Sequence, residues 1–402
     1  SINLFAPSLY NGILGDFATQ AERDYLFDNR TFRTDIVQDV TSAFVSGYLG
    51  ELPAGDIGFV FGLEKNKMDL ESIPDNVADE GLLFGYEADG GARGTSVMKE
   101  AFAEIGLPLL AGVRFAEELT AEVSMRHTET TSYNKWTEVE QVAHGKTFAV
   151  KMSYRPVSDL LIRATKGTSF RAPNLRETAL RAEENFTSAI DYCIAPSRAW
   201  RLNTDKTAYV YDRTLDYRDD VVIGNCEAQG VDPQALGNTF KDGGTTYINQ
   251  RISVSGITGG AVGLDTETSD SITWGFVYDI PYTSLFKGSD GSTSTSIGLT
   301  RYDISIENSI VELSSGYIIY DCYFAKANLQ STFCNNITRN TDTGYLETVT
   351  GGFVNRDQEA ANGVDVNILH EYSFQFGNLY VDAGLDIVAN FPKERSLLYT
   401  ND

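Results

Sequence analysis

Residues that build common active sites are scarce in this sequence. Its three histidines are His127, His144 and His370, and none of its four cysteines forms a CxxC pair. A zinc site and a Ser/His/Asp triad are therefore poorly supported. The chain also contains no nucleophile elbow, no phosphate-binding loop and no HExxH motif. We expect a protein that is not an enzyme and that needs neither a metal nor a cofactor.

Basic residues are in the minority as well. Lys and Arg total 32 against 56 Asp and Glu, and the formal net charge at pH 7 is −24. Neutralising phosphates requires a basic face, so nucleic acid is excluded as a partner. An acidic surface favours solubility and can also gather cations or basic ligands, and composition does not separate these two roles.

Long apolar runs and helical periodicity are missing too. No stretch of 18 or more apolar residues occurs, which excludes a transmembrane helix. Alternation with a period of two dominates instead, with one parity apolar and the other polar or charged. It is clearest in segments 119–126, 147–155, 160–165, 272–280 and 379–387. The sequence therefore predicts an all-β protein.

The lengths of the connections distinguish between β architectures. Short turns at 52–55, 155–159 and 372–378, and longer ones around 109–117 and 281–291, alternate with polar stretches at 67–95, 129–145, 171–263 and 307–361. An up-and-down sheet then has its short turns at one end and its long loops at the other, as in outer-membrane barrels. About ten strands reach the length that crosses a bilayer. The predicted fold is a transmembrane antiparallel up-and-down β-barrel with long extracellular loops.

The polar parity of the predicted strands carries many charges. They belong to Glu122, Arg126, Lys151, Arg155, Arg163, Arg301, Asp303, Glu307, Asp365 and Glu371. An Arg or Lys facing lipid near the midplane would cost about 2–4 kcal/mol, so we expect these groups to face an aqueous lumen. Aromatic residues near strand ends are expected to form the girdle at the membrane interface. They are Tyr154, Tyr278, Tyr372 and Phe374.

Two of the long polar stretches carry the cysteines and the candidate binding residues. Proximity in sequence favours Cys193–Cys226 and Cys322–Cys334 among three possible connectivities, and paired cysteines indicate an oxidising compartment. Aromatic and basic side chains there provide stacking faces and charge for a ligand. They are Arg198, Trp200, Arg201, Tyr209, Tyr211, Tyr217, Tyr320 and Tyr323. The alternative is that they pack a small domain against the barrel rim.

Segment 166–177, KGTSFRAPNLRE, closely resembles the corner at which a strand of TonB-dependent outer-membrane receptors emerges at the cell surface. The matching residues are Phe170, Arg171, Ala172, Pro173, Asn174, Leu175 and Glu177. Further segments resemble the family's barrel in the same order, at 2–8, 50–67, 104–110, 154–165, 264–281, 300–310 and 362–372. We expect Arg171 to pair with Glu177 or with an acidic group of a neighbouring strand. Pro173, which has no N–H to donate, is expected to end the ladder.

The resemblance implies that residues 1–402 form about ten strands of the family's 22-stranded barrel. The stretches 171–263 and 307–361 would be disulfide-containing extracellular loops. Nothing in the chain resembles the family's plug, TonB box or last strands, and both ends are abrupt, so we expect an internal portion of a longer protein. Segment 264–281 matches the family's motif for the start of a strand at Leu264 and Glu267, but it lacks the Asn and Pro of that motif.

The resemblance also implies a function. The protein would bind a scarce nutrient, an iron–siderophore or an oligosaccharide, in its loops and import it across the outer membrane of a Gram-negative bacterium. Its partners would be the TonB–ExbB–ExbD complex acting through a plug, the nutrient, outer-membrane lipid and a surface lipoprotein. The competing interpretations are a secreted all-β carbohydrate-binding or carbohydrate-active protein, soluble without detergent, and a passive porin with open conductance.

Overall fold

The computed structural model describes residues 20–207, 209–237, 250–280, 293–374 and 377–388. Two sequence features named above, the match at 2–8 and the turn at 281–291, lie outside these residues. The side chains of Tyr372 and Phe374, two predicted girdle positions, lie outside them as well. No helix in these ranges is long and apolar enough to cross a membrane.

Ten long strands pair side by side in one antiparallel sheet, here called the wall. They are β1 (Phe32–Leu52), β2 (Gly55–Pro74), β3 (Ala92–Val113), β4 (Ala116–Asn134), β5 (Val139–Val157), β6 (Leu160–Arg171), β11 (Glu267–Asp279), β12 (Thr293–Glu312), β14 (Leu346–Phe374) and β15 (Gly377–Val388). Each pairs with the strand before it in this series. Over the described residues the outer edges of β1 and β15 pair with no strand, so the sheet is open. The up-and-down order of about ten strands that the sequence predicts is confirmed.

The remaining elements lie before and between the wall strands. The helices are α1 (Gln20–Leu26), α2 (Asn76–Asp79), α3 (Leu175–Ala179), α4 (Asp220–Ala228) and α5 (Ser315–Phe324). The short strands are β7 (Glu183–Ile190), β8 (Trp200–Leu202), β9 (Tyr209–Tyr211), β10 (Arg251–Gly259) and β13 (Ile337–Arg339). Short 3₁₀ turns occupy Ser197–Ala199, Arg213–Leu215, Ala327–Leu329 and Thr332–Asn336. Most of these elements belong to two excursions, 172–266 after β6 and 313–345 after β12.

The connections differ between the two ends of the wall, as predicted. Three of the four polar stretches expected to be long loops nevertheless run into wall strands: 67–95 into β2 and β3, 129–145 into β4 and β5, and 307–361 into β12 and β14. Residues 53–54, 114–115 and 158–159 join their strands tightly at one end, whereas both excursions leave from the other end. The polar stretch 129–145 was expected to be a long loop, and this is wrong, because β4 and β5 pair through it up to the connection at 135–138. Both parities are polar there, so the alternation that marks a strand disappears while the backbone ladder continues.

Ladder register assigns each side chain to one of two faces, because directly opposed residues share a face. The face here called outer carries the apolar parity, in which Val123 lies opposite Val150 and Ile162 lies opposite Phe276. Its side chains are unusually exposed, with Met125 at 65% and Trp274 at 53% of their full accessible area. An exposed apolar surface of this extent has to be covered, either by an apolar protein partner or by an apolar solvent.

Most of the predicted lumen charges lie on the opposite, inner face. Lys151 pairs there with Glu122, and Arg126 Nη1 lies 3.0 Å from Glu100 Oε2. Arg155 Nε lies 3.9 Å from Glu118 Oε2, and Arg163 Nη2 donates to Thr300 Oγ1 at 3.2 Å. Asp365 and Glu371 share this face through the β12–β14 and β14–β15 registers.

Three predicted lumen charges lie on the outer face instead, which corrects the sequence interpretation of β12. Its register opposes Arg301 to Trp274, Asp303 to Ile272 and Glu307 to Thr268. Tyr302 therefore points inward, where its ring occupies the space above Gly363, and a Cβ at Gly363 would come within 2.3 Å of the Tyr302 hydroxyl. The alternation predicted that the apolar residues of β12 face outward, but Gly363 leaves room for the Tyr302 ring on the inner face.

Candidate functional site

The two excursions combine into one body at the loop end of the wall, here called the cap. β10 pairs antiparallel with β7 and parallel with the start of β14, which in turn pairs with β13. Buried side chains from both excursions and from the start of β14 form a single core, including Val222, Val254, Ile318, Ile319 and Val349. Neither segment could bury this much apolar surface alone, so the predicted pair of loops is one small domain.

Both predicted disulfides are present, and both belong to this core. Cys193 bonds to Cys226 with a Cα–Cα distance of 5.6 Å, and Cys322 bonds to Cys334 at 4.8 Å. Cys193, Cys226 and Cys322 have no exposed surface. Each bridge therefore cross-links one excursion, and packing joins the two excursions to each other.

A buried ion pair connects the excursions inside the cap. Arg339 Nη1 and Nη2 lie 2.8 Å from the two carboxylate oxygens of Asp191, and both side chains are almost fully buried. Arg339 Nη2 also donates to the Tyr323 hydroxyl at 2.7 Å, and that hydroxyl bonds to Gln229. Burial opposes the charge of Arg339, but the bonds to Asp191 outweigh it and raise the pKa of Arg339.

Tyr323 was predicted to bind a ligand, and its position contradicts this. Its side chain is fully buried, and its hydroxyl is already bonded to Gln229 and Arg339. Burial raises the pKa of Tyr323 to about 12. Tyr323 is therefore a core residue of the cap, which is the packing alternative that the sequence left open.

A second buried ion pair organises the first excursion. Arg218 and Asp216 are almost fully buried, and Arg218 also donates to the carbonyl oxygens of Cys193 at 2.8 Å and Pro233 at 2.6 Å. The Tyr211 hydroxyl donates to Asp216 at 2.6 Å. Burial opposes ionisation of Asp216, but the bonds from Arg218 and Tyr211 outweigh it and lower the pKa of Asp216. Sequence reasoning missed both ion pairs: Arg339 and Asp191 are adjacent only in the fold, and only the fold shows that Asp216 and Arg218 are buried.

Three predicted binding residues lie on the cap in two groups of contacting side chains, a trio of rings and an Arg–Tyr pair, which together we call the aromatic platform. It consists of Tyr192, Arg198, Tyr217, Tyr320 and Phe324. The Arg198 guanidinium lies 4.3 Å from the centre of the Tyr217 ring, and the Tyr320 and Phe324 rings stack at 4.7 Å. Burial raises the pKa of Tyr192, and the neighbouring Tyr320 and Tyr217 add to this shift.

The platform offers both stacking faces and a cation to a ligand. Tyr217 is 55% exposed, Tyr320 is 48% exposed, and the Arg198 side chain is exposed as well. The Tyr217 hydroxyl donates to Gln250 Oε1 at 2.6 Å, which holds the ring in place. Sequence reasoning missed Tyr192, although it lies directly before Cys193, and missed the role of Phe324.

The other predicted binding residues gather on the β8–β9 hairpin. The rings of Trp200 and Tyr211 meet edge to face at 5.7 Å, and Arg201 pairs with Asp212. Tyr209 lies opposite Leu202 in the same ladder. This second cluster is part of the cap but separate from the residues that build the platform.

The predicted corner joins the cap to the wall. Arg171 Nη1 lies 2.9 Å from Glu177 Oε2, and its Nε and Nη2 lie 2.5 and 2.8 Å from the carboxylate of Glu267 on β11. Glu267 Oε1 also accepts a bond from the Ile310 N–H of β12 at 2.7 Å. Both pairings expected of Arg171, within the corner and to a neighbouring strand, are therefore confirmed.

The polypeptide after Arg171 turns into a short capped helix. The Asn174 side chain accepts from the Glu177 N–H, and the Glu177 side chain accepts from the Asn174 N–H, a reciprocal capping box. Leu175 is 2% exposed and packs close to Gly94 of β3. The ladder ends before Pro173, as expected of a residue that has no N–H to donate.

A pocket of about 530 Å³ lies below this corner on the inner face of the wall. The corner residues 170–174 form one side, and β1 to β6 form the other. Glu100 is 8% exposed there and accepts bonds from Arg126 at 3.0 Å and from the Thr128 hydroxyl at 2.7 Å. The corner thus overhangs a polar, charged part of the wall.

No protein-family model matches the sequence, and no curated protein sequence matches it either. The structure is similar to that of the hemophore receptor HasR of Serratia marcescens, solved with its hemophore HasA and heme, at 12% identity and a TM-score of 0.45. That similarity covers 88% of this chain and 42% of HasR.

Two further solved structures are similar to the chain. The siderophore receptor PirA of Acinetobacter baumannii is 10% identical, with a TM-score of 0.45 and coverage of 90% of this chain and 38% of PirA. The ferric enterobactin receptor PfeA of Pseudomonas aeruginosa, as a mutant, is 13% identical, with a TM-score of 0.37 and coverage of 84% and 43%. The chain spans about two fifths of the length of these structures. All three are named as receptors.

Proposed function

We propose that this chain is the barrel part of a TonB-dependent transporter in the outer membrane of a Gram-negative bacterium. It would bind a scarce nutrient in the cap and pass it inward along the wall. One observation carries this proposal: a single-layered wall exposes its apolar face, and the corner at Arg171 attaches a disulfide-linked cap to one end of that wall. A soluble two-layered protein would cover such a face with a second sheet.

The dimensions of the wall support a membrane location. Its strands contain 12 to 29 residues, and tilted strands need about 9–11 to cross a bilayer. On β4 the outer face is apolar from Leu119 to Met125, and on β5 it is apolar from Phe148 to Tyr154. Seven residues at about 3.3 Å each run for about 23 Å along the strand, which is the larger part of the 9–11 residues that a tilted strand needs.

The inner face and its pocket support passage of a polar ligand or contact with a plug domain. Charged groups there pair across strands, as Lys151 does with Glu122, and the pocket below the corner is lined by Glu100 and Arg126. In the proposed transporter a plug carried elsewhere in the polypeptide would contact this face. The TonB–ExbB–ExbD complex would pull on that plug, and a surface lipoprotein would assist capture.

The aromatic platform is the proposed nutrient site. Tyrosine rings can stack on sugar rings or on aromatic siderophores, and Arg198 adds a positive charge on a chain whose net charge is −24. Iron–siderophore complexes, which are commonly anionic, would use both features, whereas a neutral oligosaccharide would use the rings alone. The β8–β9 cluster with Trp200 and Arg201 would extend the site.

The test uses the full-length protein that contains this chain, expressed in the outer membrane. Binding and uptake of ferric siderophores and oligosaccharides are compared for the natural protein and for R198A/Y217A. The matched control is R30A/Y86A, which removes another Arg stacked on a Tyr, at 5.3 Å, outside the cap. We expect R198A/Y217A to weaken binding of the transported nutrient at least tenfold and the control to leave it unchanged.

Three results would contradict the proposal. Full solubility without detergent would favour a secreted carbohydrate-binding protein, and open conductance in planar bilayers would favour a passive porin. If R198A/Y217A binds the nutrient as well as the control does, the platform is not the binding site. TonB-dependent uptake would then test the transporter function separately.

A further inference from the structure

Three segments of the chain match Asn-x-Thr, the sequence that accepts an N-linked glycan in exported proteins. Their asparagines are Asn29, which precedes β1, Asn185, which lies on β7, and Asn336, which precedes β13. The tripeptide by itself does not distinguish between the three. Their surroundings in the fold and their neighbours in the sequence do.

The sequon on β7 presents a free amide. Asn185 is exposed, and its side chain forms no bond with any residue in the described ranges. Because side chains alternate along a strand, Asn185 and Thr187 lie on the same face of β7. The register places Gly256 of β10 opposite Asn185, and a Cβ at Gly256 would come within 3.2 Å of Asn185 Oδ1. The glycine therefore leaves room beside the amide.

A glycan has to be tolerated by the folded protein, and this disfavours Asn336. Its Nδ2 donates to the Thr350 carbonyl oxygen at 2.8 Å, and the side chain is half-buried. A sugar on that nitrogen would compete for the space that this bond occupies. Asn29 and Asn185 are exposed, and over the described part of the chain their side chains form no bond that a sugar would displace.

Charge separates the two exposed candidates. Glu183 lies two residues before Asn185, whereas Phe27 and Cys334 hold the corresponding positions before Asn29 and Asn336. A carboxylate at this position offers a transferring enzyme a charge-assisted contact that the other two sequons lack. The sequon on β7 therefore combines a free amide with an acidic neighbour, and neither of the others does.

The position of β7 in the cap gives such a glycan a physical role. The strand pairs with β10 along one edge, and over the described residues no strand pairs with its other edge. Phe186 is 59% exposed on this strand. An open edge is a template for pairing with another chain, and proteins commonly block such edges. A bulky, hydrated group on the adjacent Asn185 would block this one.

We infer that Asn185 carries an N-linked oligosaccharide on the surface of the cap. The donor is an oligosaccharide attached to a lipid diphosphate, which an oligosaccharide transferase uses during export. Asn185 Nδ2 forms a bond to C1 of the sugar, the bond between C1 and the diphosphate oxygen breaks, and the diphosphate leaves with that electron pair. A base of the transferase takes the amide proton.

The inference goes beyond the proposed function and shares with it only the export of the cap. The two disulfides of the cap support export independently, because they indicate an oxidising compartment.

The test is mass spectrometry of the full-length protein purified from the organism that encodes it. After reduction, trypsin releases the peptide 182–198, which contains one sequon. We expect this peptide to carry the mass of one oligosaccharide on Asn185. N185Q and T187A should lose this mass completely, and T187S should retain it. The matched controls N29Q and N336Q remove the other two sequons and should leave the modification of Asn185 unchanged.

An unmodified peptide 182–198 would overturn the inference, and this result needs only the natural protein, so no variant has to fold. A mass that survives in N185Q but is lost in T187A would place the sugar on the threonine and would overturn it as well. Glycans found only on Asn29 or Asn336 would do the same.

The failure of this inference is distinguishable from that of the proposed function. A protein that imports its nutrient with Asn185 unmodified would refute the glycan alone. A protein that carries the glycan but is soluble without detergent would refute the transporter alone.

Discussion

The wall and the cap belong to the same chain but are stabilised in opposite ways. The wall exposes apolar side chains such as Trp274 on its outer face and places charge pairs such as Lys151–Glu122 on its inner face. The cap buries its apolar side chains, two disulfides and two ion pairs in a core that any water-soluble domain would have. The two regions are therefore built for different surroundings, which are water for the cap and, under the proposed function, lipid for the outer face of the wall.

The strongest test of this contrast removes one partner of the buried ion pair in the cap. In R339M, Asp191 remains buried without its counter-charge, which should lower the free energy of unfolding of the cap by about 3–5 kcal/mol. Denaturant unfolding is followed by Trp200 fluorescence in a W136F/W274F background, so that the signal comes from the cap.

Two controls accompany R339M. R201Q removes the ion pair between the exposed Arg201 and Asp212 and should cost less than about 1 kcal/mol. A W136F/W200F background reports on the wall through Trp274, and the wall should keep its stability in R339M. Equal losses in the cap and the wall would show that the two regions unfold as one unit.

Alkaline pH should lower the free energy of unfolding of the cap more than that of the wall, and by less than the R339M substitution does. The pKa of Tyr323 is about 12 in the folded cap and about 10 in an unfolded chain. The unfolded state therefore releases the proton first, so stability is complete below about pH 10 and falls as the pH rises from 10 to 12. The expected loss is about 2–3 kcal/mol by pH 12.

Y323F is the variant that checks this assignment. It should be less stable than the natural protein at neutral pH, because Gln229 and Arg339 lose a bonding partner. Its stability should then fall less steeply between pH 10 and 12, as measured by Trp200 fluorescence in denaturant. An unchanged slope would assign the alkaline loss to other groups.

The smallest expected effect concerns the face on which Arg301 lies. Because its register partner is Trp274 on the outer face, R301L should be neutral or stabilise the wall by up to about 1 kcal/mol in a bilayer. R163L, on the inner face, should destabilise it, because the bond to Thr300 is lost and an apolar side chain faces water. The measurement is unfolding in lipid vesicles, and the opposite order of the two variants would contradict the register.

Much of the wall could be predicted from the sequence, and the errors of that prediction have a physical origin. Alternation identified the strands wherever one face was apolar, but it failed in β4 and β5 beyond Met125, where both faces are polar. It also failed in β12, where Gly363 allows Tyr302 to point inward. Residue parity predicts a face only when neighbouring strands confirm the register.

The cap could be predicted only in pieces. The disulfides followed from proximity, because each closes a local loop of one excursion. The pairing of Asp191 with Arg339 joins residues 148 positions apart and had no local signal. Tyr320 and Tyr323 looked equivalent in sequence, yet one is exposed on the platform and the other is buried in the core.

The sequence by itself determined the all-β character, the order of the wall strands, the two disulfides and the corner motif at Arg171. These features depend on near neighbours: a period of two, a turn, a short loop or a contiguous segment. Only the tertiary structure decided that two excursions share one core, which tyrosines face solvent and on which face of the wall the side chains of β12 lie. Those features depend on side chains that are distant in sequence and adjacent only after the strands have paired.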